Sequence, residues 1–417
     1  MMRDLSRWLT ALTALWLLIA PATRAAPRPD EYLIRLKIDR AAEIDRVWTD
    51  YALKPISYLP RINVFVIRPI DPRRPIDLSA LTADRRVAWI EPNGLVHATD
   101  VTPDDPWYGP QQRPYLELMG LPPAWQLTRG DARPIAFVDT GVDLDHPDLV
   151  NKVWRNPGEI AANGLDDDGN GYLDDVTGWN FVGDNAVPQD DSNHGSHVSG
   201  SAAAQTDNGL GMAGISWGAT IMPIKSLGAN ATGTFSDTAA GIVYAADNGA
   251  RIINLSLGGD YSAAIEAAVN YAQSRGCLLI ASTGNDGANV VDYPAALPGV
   301  LAVGSSSLSD QRSTFSNYGP QIDVVAPGED IFSANRLGGY AILDGTSMST
   351  AHVSGLAALI WSKKPHFTAD EVAQVITSTA RDIGSPGWDS FTGWGRIDAA
   401  RALGSVNEFY LTTLLRP

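Results

Sequence analysis

The chain has 417 residues, enough for two or three domains, and its 44% apolar content is that of a globular protein. A formal net charge of −16 argues against nucleic acid as a partner, because phosphate backbones select basic faces. The single cysteine, Cys277, excludes an intrachain disulfide, and its place in the apolar run Gly276–Ala281 predicts a buried thiol with no reactive role.

In chain order, residues 1–25 read as a secretory leader. Arg3 and Arg7 precede the apolar core Trp8–Ala20, and Thr23 and Ala25 offer a small-x-small cleavage site. The run is too short to span a bilayer comfortably, so export is expected, to the medium or periplasm, with no membrane association after cleavage. Residues 26–104 form a small unit. Tyr32–Ile38, Ile62–Ile67 and Val87–Ile90 alternate at period two, and Ala41–Tyr51 has room for a helix, predicting an α+β sandwich. Residues 98–106 read as a linker.

From residue 105 onward, strands alternate with helices. Ile135–Val138 ends on Asp139, and Ile221–Ile224, Arg251–Leu255, Cys277–Ala281, Val300–Val303 and Ile322–Val325 continue the strands. Helical runs lie at Ser236–Asn248 and Ala263–Arg275. The alternation predicts an α/β fold, a parallel sheet covered on both faces, with functional residues at the carboxyl ends of strands.

Three polar stretches stand out. Asp344–His352 leads from glycine and small hydroxylated residues into an apolar helical run, which puts Ser347 where loop becomes helix. That position suits a nucleophile whose attack creates an oxyanion, and equally suits a plain N-cap. Asp139 ends a buried strand. His194, flanked by Gly195, opens a small-residue helix; the other five histidines, His97, His146, His197, His352 and His366, read as structural or solvated. A serine hydroxyl needs a base to take its proton, and the base needs a carboxylate to orient it and stabilise its charge.

In the order Asp…His…Ser, these contexts resemble the subtilisin-like serine proteases, or subtilases. The family motifs Asp-Thr-Gly, His-Gly-Thr-His-Val-Ala-Gly and Gly-Thr-Ser-Met-Ala-x-Pro-His read here as Asp139–Gly141, His194–Gly200 and Gly345–His352. Ser196, Ser199 and Ser349 are small departures, and Ala351 in place of proline is the largest. The resemblance covers 105–403. It makes 26–104 similar to the family's inhibitory, folding-assisting propeptide and leaves 404–417 as a short tail.

The resemblance implies a serine endopeptidase, made as a self-processing zymogen, acting on proteins and peptides and expected as a monomer. Asp139 would orient His194, and His194 would take the Ser347 proton. Asn285, in Ser282–Gly287, matches the family's oxyanion donor, with Gly284 beside it in the substrate-binding segment. Ser256, Leu257 and Gly258 resemble one edge that pairs with the substrate backbone, and Ala231, Thr232 and Gly233 the other. Asp292 aligns with the floor of the primary specificity pocket, which implies tolerance of Lys or Arg there; a solvated loop carboxylate is the alternative. A lipase-type elbow, Gly-x-Ser-x-Gly, is absent because Ser349 occupies the second glycine position. The reading from another class is a non-catalytic calcium-binding module.

Two calcium sites are expected. In Asp166–Asp175, Asp166, Asp168 and Asn170 place oxygens at alternate positions around Gly169, with Asp174 or Asp175 closing the site; the spacing favours calcium over a solvated loop. Asp148 and Asn208 match the side-chain ligands of the family's high-affinity site, and Asp105 matches the N-terminal ligand of thermitase-like members. Backbone carbonyls from 205–212 would complete that site.

Overall fold

The computed structural model describes residues 31–38, 40–71, 73, 76–93 and 101–405. The expected leader, the start of the expected linker, His97 and the tail beyond residue 405 lie outside the described residues. The chain divides into two compact units, Met1–Thr99 and Asp100–Pro417.

The first unit holds β1 (Tyr32–Leu36), α1 (Ala41–Asp50), β2 (Leu53–Leu59), β3 (Val64–Pro69), α2 (Leu78–Ala83) and β4 (Val87–Pro92). Its antiparallel sheet runs β2-β3-β1-β4. Ile34, Val47, Leu53, Ile67 and Leu81 form the centre of its core. The expected strands and helix are present; β2 and α2 are additions. β2 lacks an apolar alternation because it is an edge strand with only Leu53 buried, and its pairing shifts register between Pro55 and Ser57. α2 is a short helix started by Asp77, whose side chain accepts from the Ala80 N–H.

The second unit begins with α3 (Arg113–Leu118), α4 (Leu121–Trp125), β5 (Pro134–Asp139), β6 (Trp179–Asn180), α5 (His194–Ala203) and β7 (Thr220–Lys225). It continues with α6 (Phe235–Asp247), β8 (Ile252–Leu255), α7 (Ala263–Ser274), β9 (Leu278–Ser282), β10 (Leu301–Ser306) and β11 (Val324–Pro327). A hairpin, β12 (Ile331–Asn335) and β13 (Gly339–Leu343), precedes α8 (Thr346–Lys363), α9 (Ala369–Thr379) and α10 (Ala399–Ser405). Seven parallel strands run β11-β10-β9-β8-β5-β7-β6.

Both faces of the sheet are buried, so its strands read as continuous apolar runs whose alternate residues enter different cores. Ile135 and Phe137 pack with Val198, Leu356 and Ile376 on the face of α5, α8 and α9. Ala136 and Val138 pack with Ile242 and Val269 on the face of α6 and α7. α8 is buried from Thr346 to Trp361 and passes close to its neighbours because its residues are small. A Cβ on Gly355 would lie 2.7 Å from that of Ile215. The strand order reverses at β5, since β7 lies on one side of it and β8 on the other. A crevice therefore opens at the carboxyl end of β5, where Asp139 stands.

Candidate active site

Asp139 is fully buried. Its Oδ1 accepts the Thr140 N–H at 2.7 Å and the His194 Nδ1–H at 2.8 Å. That bond fixes the tautomer and leaves Nε2 of His194 as an acceptor. The Oδ2 of Asp139 is buried with no hydrogen-bond partner among the described residues.

His194 is the first residue of α5 and keeps 24% of its side chain exposed. The preceding Asn193 holds φ at +112° and does not cap the helix with its side chain. Asp190, which the motif reading overlooked, does the capping. Its Oδ1 accepts the N–H groups of Ser192 and Asn193 and the Thr140 hydroxyl, and its Oδ2 accepts the Ser196 N–H and hydroxyl. The Thr140 oxygen in turn accepts the Gly195 N–H at 2.9 Å. A shared scaffold thus positions the turn after Asp139 and the start of the His194 helix. Burial pushes the His194 imidazole toward its neutral form, but the charge and hydrogen bond of Asp139, helped by Asp190, outweigh it and raise its pKa above the ordinary value.

Ser347 lies in the first turn of α8, where backbone N–H groups have no intrahelical acceptor. Its hydroxyl donates to the Ser256 carbonyl at 3.2 Å, while the Ser256 hydroxyl donates to the Ser347 carbonyl at 2.9 Å. The amide of Asn254 donates to the Ser256 hydroxyl and its oxygen accepts from Ser354, so β8 and α8 are locked together beneath the serine. Among the described residues no hydrogen bond joins Ser347 to His194. Catalytic hydrogen bonds often shorten only when substrate is bound. The Oδ1 of Asn285 accepts both the N–H and the hydroxyl of Thr346 at 2.9 Å, which leaves its Nδ2 hydrogens for another acceptor.

His194, Ala231–Thr234, Ser256–Gly259 and Tyr293 line one cleft of about 320 Å³. Both expected substrate-edge segments therefore border the space that His194 faces, and Ser347 adjoins it through Ser256. Gly284 and Asp292 do not line that cleft, but they touch one another. A Cβ on Gly284 would lie 2.5 Å from the Asp292 carboxylate, and one on Gly258 would lie 2.8 Å away. Asp292 is half-buried and pairs with no cation among the described residues; burial, then the charges of Asp286 and Asp260, raise its pKa.

The other groups named from sequence are structural. His146 bonds to the Gly339 carbonyl, His197 to that of Ile331 and His352 to that of Pro327. Burial pushes His197 down to about 3 and His352 down to about 4, so both stay neutral. Cys277 is buried against the Ala250 carbonyl, and its thiol is pushed up to about 11. Ser349 donates to the Ala326 carbonyl, and Ala351 sits fully buried in the interior of α8.

Asp105, Asp148 and Asn208 come together. Asn208 donates to Asp148 Oδ1 at 3.2 Å, while Tyr340 and the Met212 N–H hold Asp148 Oδ2, both at 2.9 Å. Asp105 Oδ2 accepts the Asp207 N–H, but its Oδ1 is buried without a partner. Burial, with Asp148 adding to it, pushes Asp105 up to about 6. Two buried carboxylates, a leftover oxygen and no paired side-chain cation among the described residues fit a hard cation.

The expected ligands of the acidic loop also bond within the loop. Asp166 accepts the N–H groups of Gly169, Asn170 and Gly171, and Asp174 accepts those of Asn163 and Gly164. Asn170 braces the loop by donating to Asp168 and Asp175 and accepting from the Tyr172 N–H. The carboxylates that converge are Asp168, Asp175 and Glu159, with ligand atoms within 4.8 Å of one another. Glu159 lies outside the repeat and carries no spacing signal in the sequence.

Residues 130–395 match the model of the subtilase family. The chain is 39% identical over 333 residues to the thermophilic serine proteinase of Bacillus sp. strain AK1, covering 78% of this chain and 75% of that protein. It is 38% identical over 308 residues to thermitase of Thermoactinomyces vulgaris, covering 72% and 99% respectively. A solved protease from Pseudoalteromonas arctica PAMC 21717 aligns with a TM-score of 0.61 and 32% identity, over 73% of this chain and 99% of that one.

Proposed function

The chain belongs to the subtilase family of serine endopeptidases, and from that premise we propose that Asp139, His194 and Ser347 are its catalytic triad, in an enzyme exported as a calcium-stabilised zymogen. The observation that carries this reading is the Asp139–His194 bond at a cleft whose other wall, Ser256, carries the Ser347 hydroxyl.

A peptide lies extended between Ala231–Gly233 and Ser256–Gly258. Ser347 Oγ attacks the scissile carbonyl carbon while its proton passes to His194 Nε2, and Asp139 stabilises the imidazolium that forms. The tetrahedral oxyanion takes hydrogen bonds from Asn285 Nδ2 and the Ser347 N–H. Collapse breaks the C–N bond as His194 returns the proton to the leaving amine, which leaves an ester on Ser347. Water, deprotonated by the same histidine, then releases the acid. Cleavage is broad, and Asp292, between Gly258 and Gly284, lets Lys or Arg be tolerated in the primary pocket.

Asp105, Asp148 and Asn208, with carbonyls of 205–212, would hold one calcium ion; Asp168, Asp175 and Glu159 would hold a second. Bound calcium offsets the repulsion among these carboxylates and stabilises the native state. Among the described residues no helix is long and apolar enough to cross a membrane. The leader pattern of residues 1–25 supports export, and the separate unit ending at Thr99 supports a removable propeptide that inhibits a monomeric enzyme.

The test is the intact mass, N-terminus and casein hydrolysis of the exported protein, wild type beside Ser347→Ala. Loss of the 26–104 segment and casein hydrolysis by wild type alone are expected. Hydrolysis by both proteins would remove Ser347 from the mechanism.

A further inference from the structure

Lys225 ends β7, in register with Asp139 at the end of β5, and is only 3% exposed. Its ammonium has three hydrogens and three acceptors: the Thr140 carbonyl at 2.8 Å, the Leu227 carbonyl at 2.9 Å and Asp191 Oδ1 at 2.5 Å. The first acceptor belongs to the residue after Asp139. The second belongs to the strand exit that leads to the substrate edge, and the third lies three residues before His194. The Asp139 carbonyl is held from the same side by the N–H groups of Ser226 and Leu227. An apolar side chain would fill this place without the cost of burying a charge. The ammonium adds directed bonds and a positive charge beside an acidic surround.

We propose that Lys225 is a positioning residue of the triad: it holds the Asp139–Thr140 turn and the Asp190–Asn193 segment at a fixed separation, and its charge offsets the acids around His194. This inference rests on the triad reading. Among the described residues, the charged and titratable groups facing His194 and Lys225 are Asp139 on β5, Asp190 and Asp191 before α5, and His197 on α5. Arg336, exposed in the β12–β13 turn, also reaches the Asp191 carbonyl at 3.4 Å.

The experiment compares Lys225→Met and Asp191→Asn with wild type by kcat, KM, the pH profile of kcat/KM and melting temperature. Misplacement of the dyad should lower kcat of Lys225→Met about 10- to 100-fold with KM within about twofold. Loss of the positive charge should move the acid limb up by about half a pH unit, and loss of the Asp191 charge should move it down by a similar amount. Lower melting temperatures with kcat and both acid limbs unmoved would overturn the proposal, leaving Lys225 as a structural tie. Should Lys225→Met fail to fold, Asp191→Asn decides alone: a downward limb supports the proposal and an unmoved limb overturns it. In a Ser347→Ala background, the His194 Nδ1–H proton resonance reads the Asp139 bond without activity. It should shift or broaden in Lys225→Met even if the triad reading itself failed, and an unchanged line would count against Lys225.

Discussion

At the proposed catalytic site, Asn285 gives its oxygen to Thr346 and His194 gives its Nδ1–H to Asp139, so each keeps one polar group free of those bonds. In the acidic loop, Asp166 and Asp174 give their oxygens to the loop's own N–H groups, and Asn170 bonds to Asp168, Asp175 and Tyr172. Both regions are dense in polar side chains. The difference is which atoms the fold leaves over. A scaffold that satisfies one end of each side chain leaves the other end for a substrate, whereas the carboxylates of the loop are spent largely on holding the loop itself.

The largest test of that contrast is Ser347→Ala. In subtilisin, a member of this family, loss of the serine costs about 10⁶ in turnover, and a comparable loss is expected here, measured on an unstructured protein substrate. Asn285→Ala comes next. Loss of the corresponding donor in subtilisin costs about 10²–10³ in turnover, so kcat should fall by that order with KM little changed. Equal, small effects on both constants would take Asn285 out of the mechanism.

The third test is pH. In the proposed mechanism catalysis needs neutral His194; burial favours that form, but the charge and hydrogen bond of Asp139 outweigh it and raise the pKa. The acid limb of kcat/KM should therefore lie above the ordinary histidine value, with activity lost as pH falls through it. A limb below that value would contradict the Asp139 pairing.

Calcium removal should have a smaller effect, on stability and not chemistry. One site saturated at a hundred times its dissociation constant contributes about 2.7 kcal/mol, so chelation should lower the melting temperature. Asp105→Asn should blunt that response more than Asp166→Asn, because Asp166 bonds to backbone. Equal blunting would break the comparison between leftover and committed oxygens. The smallest effect is on selectivity: Asp292→Asn should reduce the preference for Lys or Arg before the scissile bond in a peptide library, and an unchanged preference would leave Asp292 a bystander.

Much of the fold was legible as pattern. The buried strands β5 and β7 to β11 and helices α6 and α7 lie within a few residues of their expected positions, because a sheet covered on both faces demands unbroken apolar runs. β12 and β13 gave no such signal. They are held from afar, by His197 on the Ile331 carbonyl, His146 on that of Gly339 and Asp143 on the Gly338 N–H. The compact units divide after Thr99, and Asp104 and Asp105 bond to the 207–209 loop within the second unit.

Sequence alone determined the α/β architecture and the family, and it singled out Asp139, His194, Ser347 and Asn285 as candidates, because strand periodicity and contiguous motifs are local properties. Only the tertiary structure decided that Asp190 bonds both to Thr140 and to the start of α5, that Lys225 joins the Thr140 carbonyl to Asp191, that Glu159 converges with Asp168 and Asp175, and that Asp292 lies beside Gly258 and Gly284. These depend on which side chains distant segments bring together, and neither spacing nor composition encodes that meeting.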